Sequence, residues 1–329
     1  MKRLPILLCF LFSLCRLAAQ DGSVHAVIVS GGMNKLMNQE RYWNDCSFLY
    51  KALLNDYHIP RQNITLLISD GGAPGDDQLR SDGGGLTSSS ADLDGDGMRD
   101  VYLAATMQNL VSVLSALSNK LTADDHLFLF LIDHGGSDDK QTSSYLWLWN
   151  SEKLYDKVLA SLIGLFNVAT VNIVAGQCYS GGFIDDLAAT GRIVSTACRG
   201  NELSWNCTDR LYDEFVYHWT CAIAGHDEAG APVNADTNDD GRVTMFEAFA
   251  YARSHDRRDE TPQFSATPYE LGQRWTFDGI LLPENDGIDP VTYDAAALPS
   301  TGIFDLAGRP VRGQMQSGVY IKNGRKIMK

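Results

Sequence analysis

Two stretches of the chain are apolar at nearly every position and stop abruptly at small residues. Leu127-Phe128-Leu129-Phe130-Leu131-Ile132 runs into Asp133, His134, Gly135 and Gly136, and Val171-Asn172-Ile173-Val174-Ala175 runs into Gly176, Gln177, Cys178 and Tyr179-Ser180-Gly181-Gly182. Runs this short, rich in Leu, Val, Ile and Phe and closed by glycine, predict strands buried on both faces. Val24 to Ser30 repeats the pattern ahead of Gly31-Gly32, and Ile64 to Ser69 and Arg192 to Ala197 read as further strands. Between them, apolar residues recur at helical spacing over Arg41 to Tyr57, Ala104 to Leu121, Glu152 to Phe166 and Tyr212 to Ala224, and Tyr145 to Trp149 suggests a short hairpin. Strands alternating with helices predict an α/β fold, a mostly parallel sheet with helices on both faces. Residues 22–275 are the expected extent of that domain.

Two regions break the alternation. Residues 70–100 are Gly, Ser and Asp in bulk, a long insertion of the kind that tends to be functional. Beyond Gly279 helical spacing is lost, and short strand-like runs with Asn323-Gly324 as a tight turn predict a small β module over 296–329. The first residues read differently again. Lys2 and Arg3, the apolar stretch Leu4 to Leu14 and the small residues before Asp21 predict a secretory signal at 1–20. The stretch is too short to span a bilayer, and Ser13-Leu14 fits poorly before a lipoprotein cysteine, so free export is favoured over an anchor.

An apolar content of 44% supplies a core, and a net charge of −14 argues against nucleic acid or an anionic membrane as partner. Cys46, Cys178, Cys198, Cys207 and Cys221 remain after the signal. Export permits disulfides. With Cys178 kept free, three pairings of the other four are open.

Neighbouring parallel strands end at one edge of a sheet, where open α/β folds bind ligands. A thiol and an imidazole delivered there make a nucleophile and its base. Gly135 lets the backbone approach a substrate, and its N–H could face a developing oxyanion together with that of Cys178. Gly181-Gly182 could open a helix whose positive end favours the thiolate. Asp133 could orient His134, or point to the opposite side as strand neighbours do.

Ile132-Asp133-His134-Gly135 and Gln177-Cys178-Tyr179-Ser180-Gly181 are similar to the two catalytic motifs of the legumain-like cysteine peptidases, which have a caspase-like α/β fold. Ala26 to Gly31, Arg41 to Cys46, and Ser195 to Cys198 through Glu202-Leu203-Ser204-Trp205 extend the resemblance over roughly 24–225. It implies peptide-bond hydrolysis through a thioester, with Cys178 attacking, His134 shuttling protons and Gly135 helping to hold the oxyanion. Arg41 matches a basic residue of the family's primary pocket, Asp213 its acidic partner and Ser204 a pocket wall. The acidic residue that legumains carry two positions before the nucleophile is Gly176 here, so an asparagine preference does not carry over. Asn38 or Gln39 would stand for the family's asparagine near the first loop.

Asp236-Thr237-Asn238-Asp239-Asp240-Gly241 through Glu247 fits the twelve-position EF-hand loop over 236–247. Asp236, Asn238 and Asp240 offer side-chain oxygens, Arg242 a carbonyl and Glu247 two oxygens for calcium, ahead of an exit helix from Met245 to Arg253. A second candidate, Asp92, Asp94, Asp96 and Asp100, has the early ligands but Leu103 where the bidentate glutamate would sit. Gly302 to Arg309 and Gly318 to Lys322 resemble the sorting domains of the type IX secretion pathway of Bacteroidetes, which implies passage through the outer membrane and contact with that secretion machinery. The expectation is therefore a secreted or surface-attached, calcium-stabilised cysteine endopeptidase acting on peptide or protein substrates. A transpeptidase with the same residues and a non-catalytic calcium-dependent surface binding protein are the alternatives.

Overall fold

The computed structural model describes residues 22–279, 281 and 282, and the backbone of 303–304, 319–322 and 325–328. Every residue of the Val24–Ser30 run is buried, and it forms β1. There follow α1 (Glu40–Asn55), β2 (Ile64–Ile68), the two-residue strands β3 (Gln78–Leu79) and β4 (Leu86–Thr87), and α2 (Met107–Lys120). The second apolar run is β5 (His126–Ile132), succeeded by β6 (Gly135–Ser137), β7 (Ser144–Trp147), β8 (Lys153–Tyr155) and α3 (Asp156–Ile163). The third is β9 (Thr170–Ala175), then α4 (Phe183–Leu187), β10 (Arg192–Thr196), α5 (Glu214–Ala224), α6 (Met245–His255), β11 (Gln263–Thr267) and α7 (Tyr269–Arg274).

The central sheet has six strands in the order β11-β10-β9-β5-β1-β2. All neighbours are parallel except the edge strand β11, which runs antiparallel to β10. This is the mostly parallel, helix-flanked sheet expected from the apolar runs. Alternation along each strand assigns side chains to two cores. Phe128, Phe130 and Ile132 pack with Tyr42, Leu49, Phe215 and Trp219 under α1, α5 and α6, while Leu127, Leu129 and Leu131 pack with Leu110, Leu114, Leu159 and Phe183 under α2, α3 and α4. Truncating one of these side chains to Ala would cost about 2–5 kcal/mol.

The register places the two candidate catalytic residues. Leu131 of β5 pairs with Ala175 of β9, and His134 and Cys178 each lie three residues further on, so both leave the same edge of adjacent strands.

Two expectations are corrected, and one strand had none. The helix read from Glu152 begins only at Asp156, because Lys153–Tyr155 pairs with β7 as β8. Lys153 there lies over the rings of Tyr145 and Trp147 at 4.1 and 4.7 Å, a cation–π contact that sequence periodicity does not register. The hairpin at 145–149 is accordingly a three-stranded sheet of β6, β7 and β8. The edge strand β11 had no signal: Gln263-Phe264-Ser265-Ala266-Thr267 is half-buried throughout and lacks an apolar run.

Within the 70–100 insertion only β3 and β4 are regular. The buried Asn38 amide ties it to the loop after β1 by donating to Ser69 Oγ at 2.7 Å and the Asp77 carbonyl at 2.8 Å. Residues 283–329 form a separate unit. Its described backbone is an antiparallel sheet of β12 (Ile303–Phe304), β13 (Val319–Lys322) and β14 (Arg325–Met328), with Lys322 paired to Arg325. The signal expected at 1–20, the turn expected at Asn323-Gly324 and most of 296–318 lie outside the described residues. Among the described residues no helix is long and apolar enough to cross a membrane.

Candidate active site

His134 continues the face of β5 that carries Phe130 and Ile132, and so meets α1. Its Nε2 lies 3.0 Å from the Met37 carbonyl oxygen and its Nδ1 3.2 Å from the Tyr42 hydroxyl. A carbonyl only accepts, so Nε2 carries the proton of the neutral ring and Nδ1 holds the lone pair. The Tyr42 ring stands edge-on to the imidazole at 5.3 Å. Burial, aided by the Arg41 charge, lowers the His134 pKa below its ordinary value, with the Met37 bond and Asp213 opposing. The Nδ1 base is therefore neutral, as a proton acceptor must be.

Asp133 does not orient the ring. Its carboxylate accepts from the His134 backbone N–H at 2.6 Å, from the Gly32 N–H and from Ser30 Oγ at 3.4 Å, which pins β5 to the end of β1. Full burial raises its pKa to about 7 despite those bonds.

Cys178 leaves β9 through Gly176 and Gln177. The next residue, Tyr179, has φ 61°, a left-handed conformation that costs about 1–3 kcal/mol in a non-glycine residue and recurs at functional sites. The Cys178 thiol receives the Ser204 N–H at 3.3 Å, and its sulfur lies 3.6 Å from the Ser204 carbonyl oxygen and 3.7 Å from Ser204 Oγ. Ser204 thus touches the candidate nucleophile itself. No hydrogen bond joins Cys178 to His134 among the described residues; Tyr42 occupies Nδ1 instead. Cys46, Cys178, Cys198, Cys207 and Cys221 are all free, and none of the three open pairings forms. Cys46, Cys198, Cys207 and Cys221 are buried, with thiols pushed up by that burial, and only Cys178 is partly exposed.

Gly135 has no room for a side chain, since a methyl group there would overlap the Cys178 carbonyl oxygen. At Gly135, then, the loops after β5 and β9 lie against each other. The turn after Cys178 is a short 3₁₀ segment, Ser180–Gly182, followed by the five-residue α4. So short a helix provides little of the positive end expected to favour a thiolate.

Arg41 and Asp213, distant in sequence, meet across the site. Arg41 Nε lies 3.1 and 3.0 Å from the two Asp213 oxygens, with the side chains only 18% and 6% exposed. The Asp213 N–H donates to Asp45 at 3.2 and 3.3 Å, and burial followed by the Asp213 charge holds the Asp45 carboxyl well above its usual range. A cleft of about 380 Å³ opens beside Arg41, between Gln39, Arg80 of the insertion, Asn206 and Leu211. Gln39 faces this cleft, whereas Asn38 is the buried tie described above. Tyr42, Asp45 and the Met37 carbonyl were not singled out from sequence. Tyr42 and Asp45 sit in the segment that carries the resemblance, but only folding turns them toward His134 and Asp213.

The two calcium candidates differ in geometry. Carboxylate oxygens of Asp92, Asp94 and Asp100 lie within 4.8 Å of one another, the hard-oxygen set that calcium takes. Arg61 reaches the same loop, pairing with Asp94 at 2.8 Å, with Asp96 at 2.9 Å and with Asp100. In the 236–247 loop Asp236 accepts from the Asp240 and Gly241 N–H groups, and Asn238 donates to Asp240 at 2.9 Å. Glu247, expected as a bidentate ligand, uses one oxygen for Thr237 and the other for the Thr244 N–H and hydroxyl, closing a capping box on α6.

Buried carboxyls set a pH dependence. Burial, and then the Asp256 charge, raises Glu260 to about 10, where its carboxyl holds the Trp205 N–H beside Ser204 at 3.1 Å. Folded protein therefore binds more protons than unfolded protein above neutrality, and stability falls as pH rises. Below about 6.5 the lowered histidines His25, His134 and His218 act in the opposite sense. Between pH 7 and 9 the thermal midpoint is expected to drop by several degrees, at up to about 1.4 kcal/mol per pH unit for each proton released. Glu260→Gln should flatten that slope in a melting series; an unchanged slope would refute the assignment.

The model of the Peptidase C13 family matches residues 87–264, which include His134, Cys178, Ser204 and Asp213 but not Arg41. No curated protein matches the chain. The crystal structure of a protein from Geobacter sulfurreducens is similar at 13% identity and a TM-score of 0.43, over 74% of this chain and 92% of that one, too low a score to bear on function. With more than half of its 329 residues matched, the chain belongs to the Peptidase C13 family, the legumain family of cysteine peptidases.

Proposed function

We propose that this cysteine peptidase is an exported, calcium-stabilised endopeptidase in which Cys178 attacks the scissile carbonyl and His134 Nδ1 takes the thiol proton. The backbone N–H groups of Gly135 and Cys178 hold the oxyanion, and the Arg41–Asp213 pair with Ser204 lines the primary pocket. The carrying observation is the shared exit of His134 and Cys178 from adjacent, in-step strands, with Cys178 the one partly exposed thiol among the five after the signal. Because Arg80 and Leu79 of the insertion wall the cleft beside Arg41, the 70–100 segment contributes to substrate binding. Calcium at Asp92, Asp94 and Asp100 brings a second cation beside Arg61 to an acidic loop, stabilising that wall. The 236–247 loop is a second calcium position, reached when Glu247 exchanges its threonine partners for the ion. Lys2, Arg3 and the apolar run after them direct export, and the 302–322 motifs direct sorting to the cell surface.

The test is hydrolysis of internally quenched peptides varied at P1, with and without a calcium chelator. Hydrolysis is expected within the peptides, graded by P1, and lost with the chelator together with a fall in thermal midpoint. Release of terminal residues alone would refute the endopeptidase, and a midpoint indifferent to chelator would refute the calcium.

A further inference from the structure

A continuous chain of polar contacts links the primary pocket to the base. Asp213 holds Arg41 Nε; Arg41 Nη2 donates to Tyr42 Oη at 2.8 Å; and Tyr42 Oη lies 3.2 Å from His134 Nδ1. Donor and acceptor roles along it are fixed. The guanidinium only donates, so it takes a lone pair of Oη. Nε2 keeps its proton on the Met37 carbonyl, so Nδ1 only accepts and the Tyr42 hydrogen points at it. Tyr42 is itself buried, 2% exposed. Burial and the charges of Asp213 and Asp133 raise its phenol well above its ordinary pKa, against the opposing Arg41 charge.

We propose that Tyr42 is a positioning residue that occupies the His134 lone pair in the resting enzyme and releases it when a P1 side chain engages Arg41, so that pocket occupancy switches on the base. This rests on the assignment of Cys178, His134 and Arg41 made above. With substrate absent, the Tyr42 hydroxyl holds the lone pair that the Cys178 proton needs. A P1 oxygen acceptor that takes the Arg41 Nη2 hydrogen removes the donor that orients Oη. The Tyr42 O–H is then free to turn, and Nδ1 is exposed. The S–H bond of Cys178 breaks as N–H forms at Nδ1, and the sulfur electron pair makes the bond to the substrate carbonyl carbon. That proton passes to the leaving amine as the C–N bond breaks. The charged and titratable groups around the His134–Tyr42 pair are Arg41, Asp213, Asp133 and Cys178; among the described residues only Tyr42 bonds Nδ1.

The test is the rate of Cys178 alkylation by iodoacetamide, without substrate, across pH in wild type and Tyr42→Phe. Cys178→Ala serves as the control that identifies the labelled thiol. Loss of one neutral hydrogen bond to the lone pair should speed labelling about five- to tenfold near neutral pH and move its pH midpoint lower by up to about one unit. Arg41→Lys, which keeps a charge opposite Asp213 but not the donor to Oη, should act in the same direction. In hydrolysis, wild type should favour P1 side chains that carry an oxygen acceptor over P1-Ala mainly in kcat, and Tyr42→Phe should compress that ratio by the same factor as P1-Ala peptides gain. Equal or slower labelling in folded Tyr42→Phe overturns the switch. Absence of Cys178 labelling in either protein, with no peptide hydrolysed, overturns the catalytic assignment beneath it, and the switch with it.

Discussion

Cys178→Ala is expected to lower peptide hydrolysis by about 10⁴-fold or more, because removing the nucleophile of a unit that acts together abolishes nearly all its catalysis. The substitution should leave the fold nearly untouched. Cys178 is partly exposed and contributes no disulfide, and its loss frees one donor, the Ser204 N–H, at a cost of about 1 kcal/mol. Activity and melting temperature measured on the same preparation separate the two effects. Residual hydrolysis within tenfold of wild type, from protein of unchanged midpoint, would remove Cys178 from the chemistry. Cys46, Cys198, Cys207 and Cys221 give the internal comparison. They are buried, with thiols pushed up by that burial, so blocking reagents applied to folded protein should modify Cys178 first.

Gly176→Glu, which restores the acid found in legumains two positions before the nucleophile, is expected to prevent folding or lower the melting temperature by more than about 10 °C. A first side-chain carbon at Gly176 would lie 2.6 Å from both Ile132 Cδ1 and Val216 Cγ1, tighter than core contacts allow. Overpacking alone costs about 1–3 kcal/mol, and a carboxylate in that apolar seam between β5 and α5 adds several more. Gly176→Ala should show the steric part by itself, with a smaller loss. A Gly176→Glu protein melting like wild type would show that the seam can open and that the pocket can accept the acid. Packing accounts for the departure: a side chain at Gly176 would press on Ile132 and Val216, and the charges at the candidate site come from the Arg41–Asp213 pair instead.

The part of the fold legible in the sequence is the part made by strands buried on both faces. For β1, β5 and β9, being nearly uniformly apolar and ending in glycine admits one placement, the interior of a parallel sheet, and adjacency of parallel ends then predicts that His134 and Cys178 meet at one edge. The edge strand β11 was not legible, because a half-buried strand owes its pairing to β10 and not to its own composition. Lys153–Tyr155 was misread for a related reason: its place beside β7 depends on the Tyr145 and Trp147 rings that Lys153 covers.

At the site, residue identity determined which chemistry is available: one thiol and one imidazole beside glycines, a basic residue and its acidic partner, and two loops of carboxylates. Tertiary structure alone decided how these groups are engaged. Asp133 belongs to β1 and not to the imidazole, since its strand neighbour faces the other way. Arg41 and Asp213 pair because α1 and the N-terminus of α5 pack on the same face of the sheet, and Tyr42 reaches His134 for that reason too. Glu247 caps its own helix because Thr244 sits three residues before it and Thr237 folds back onto it. Periodicity and spacing report what one segment buries; hydrogen-bond partners drawn from distant segments are set only when those segments share a core.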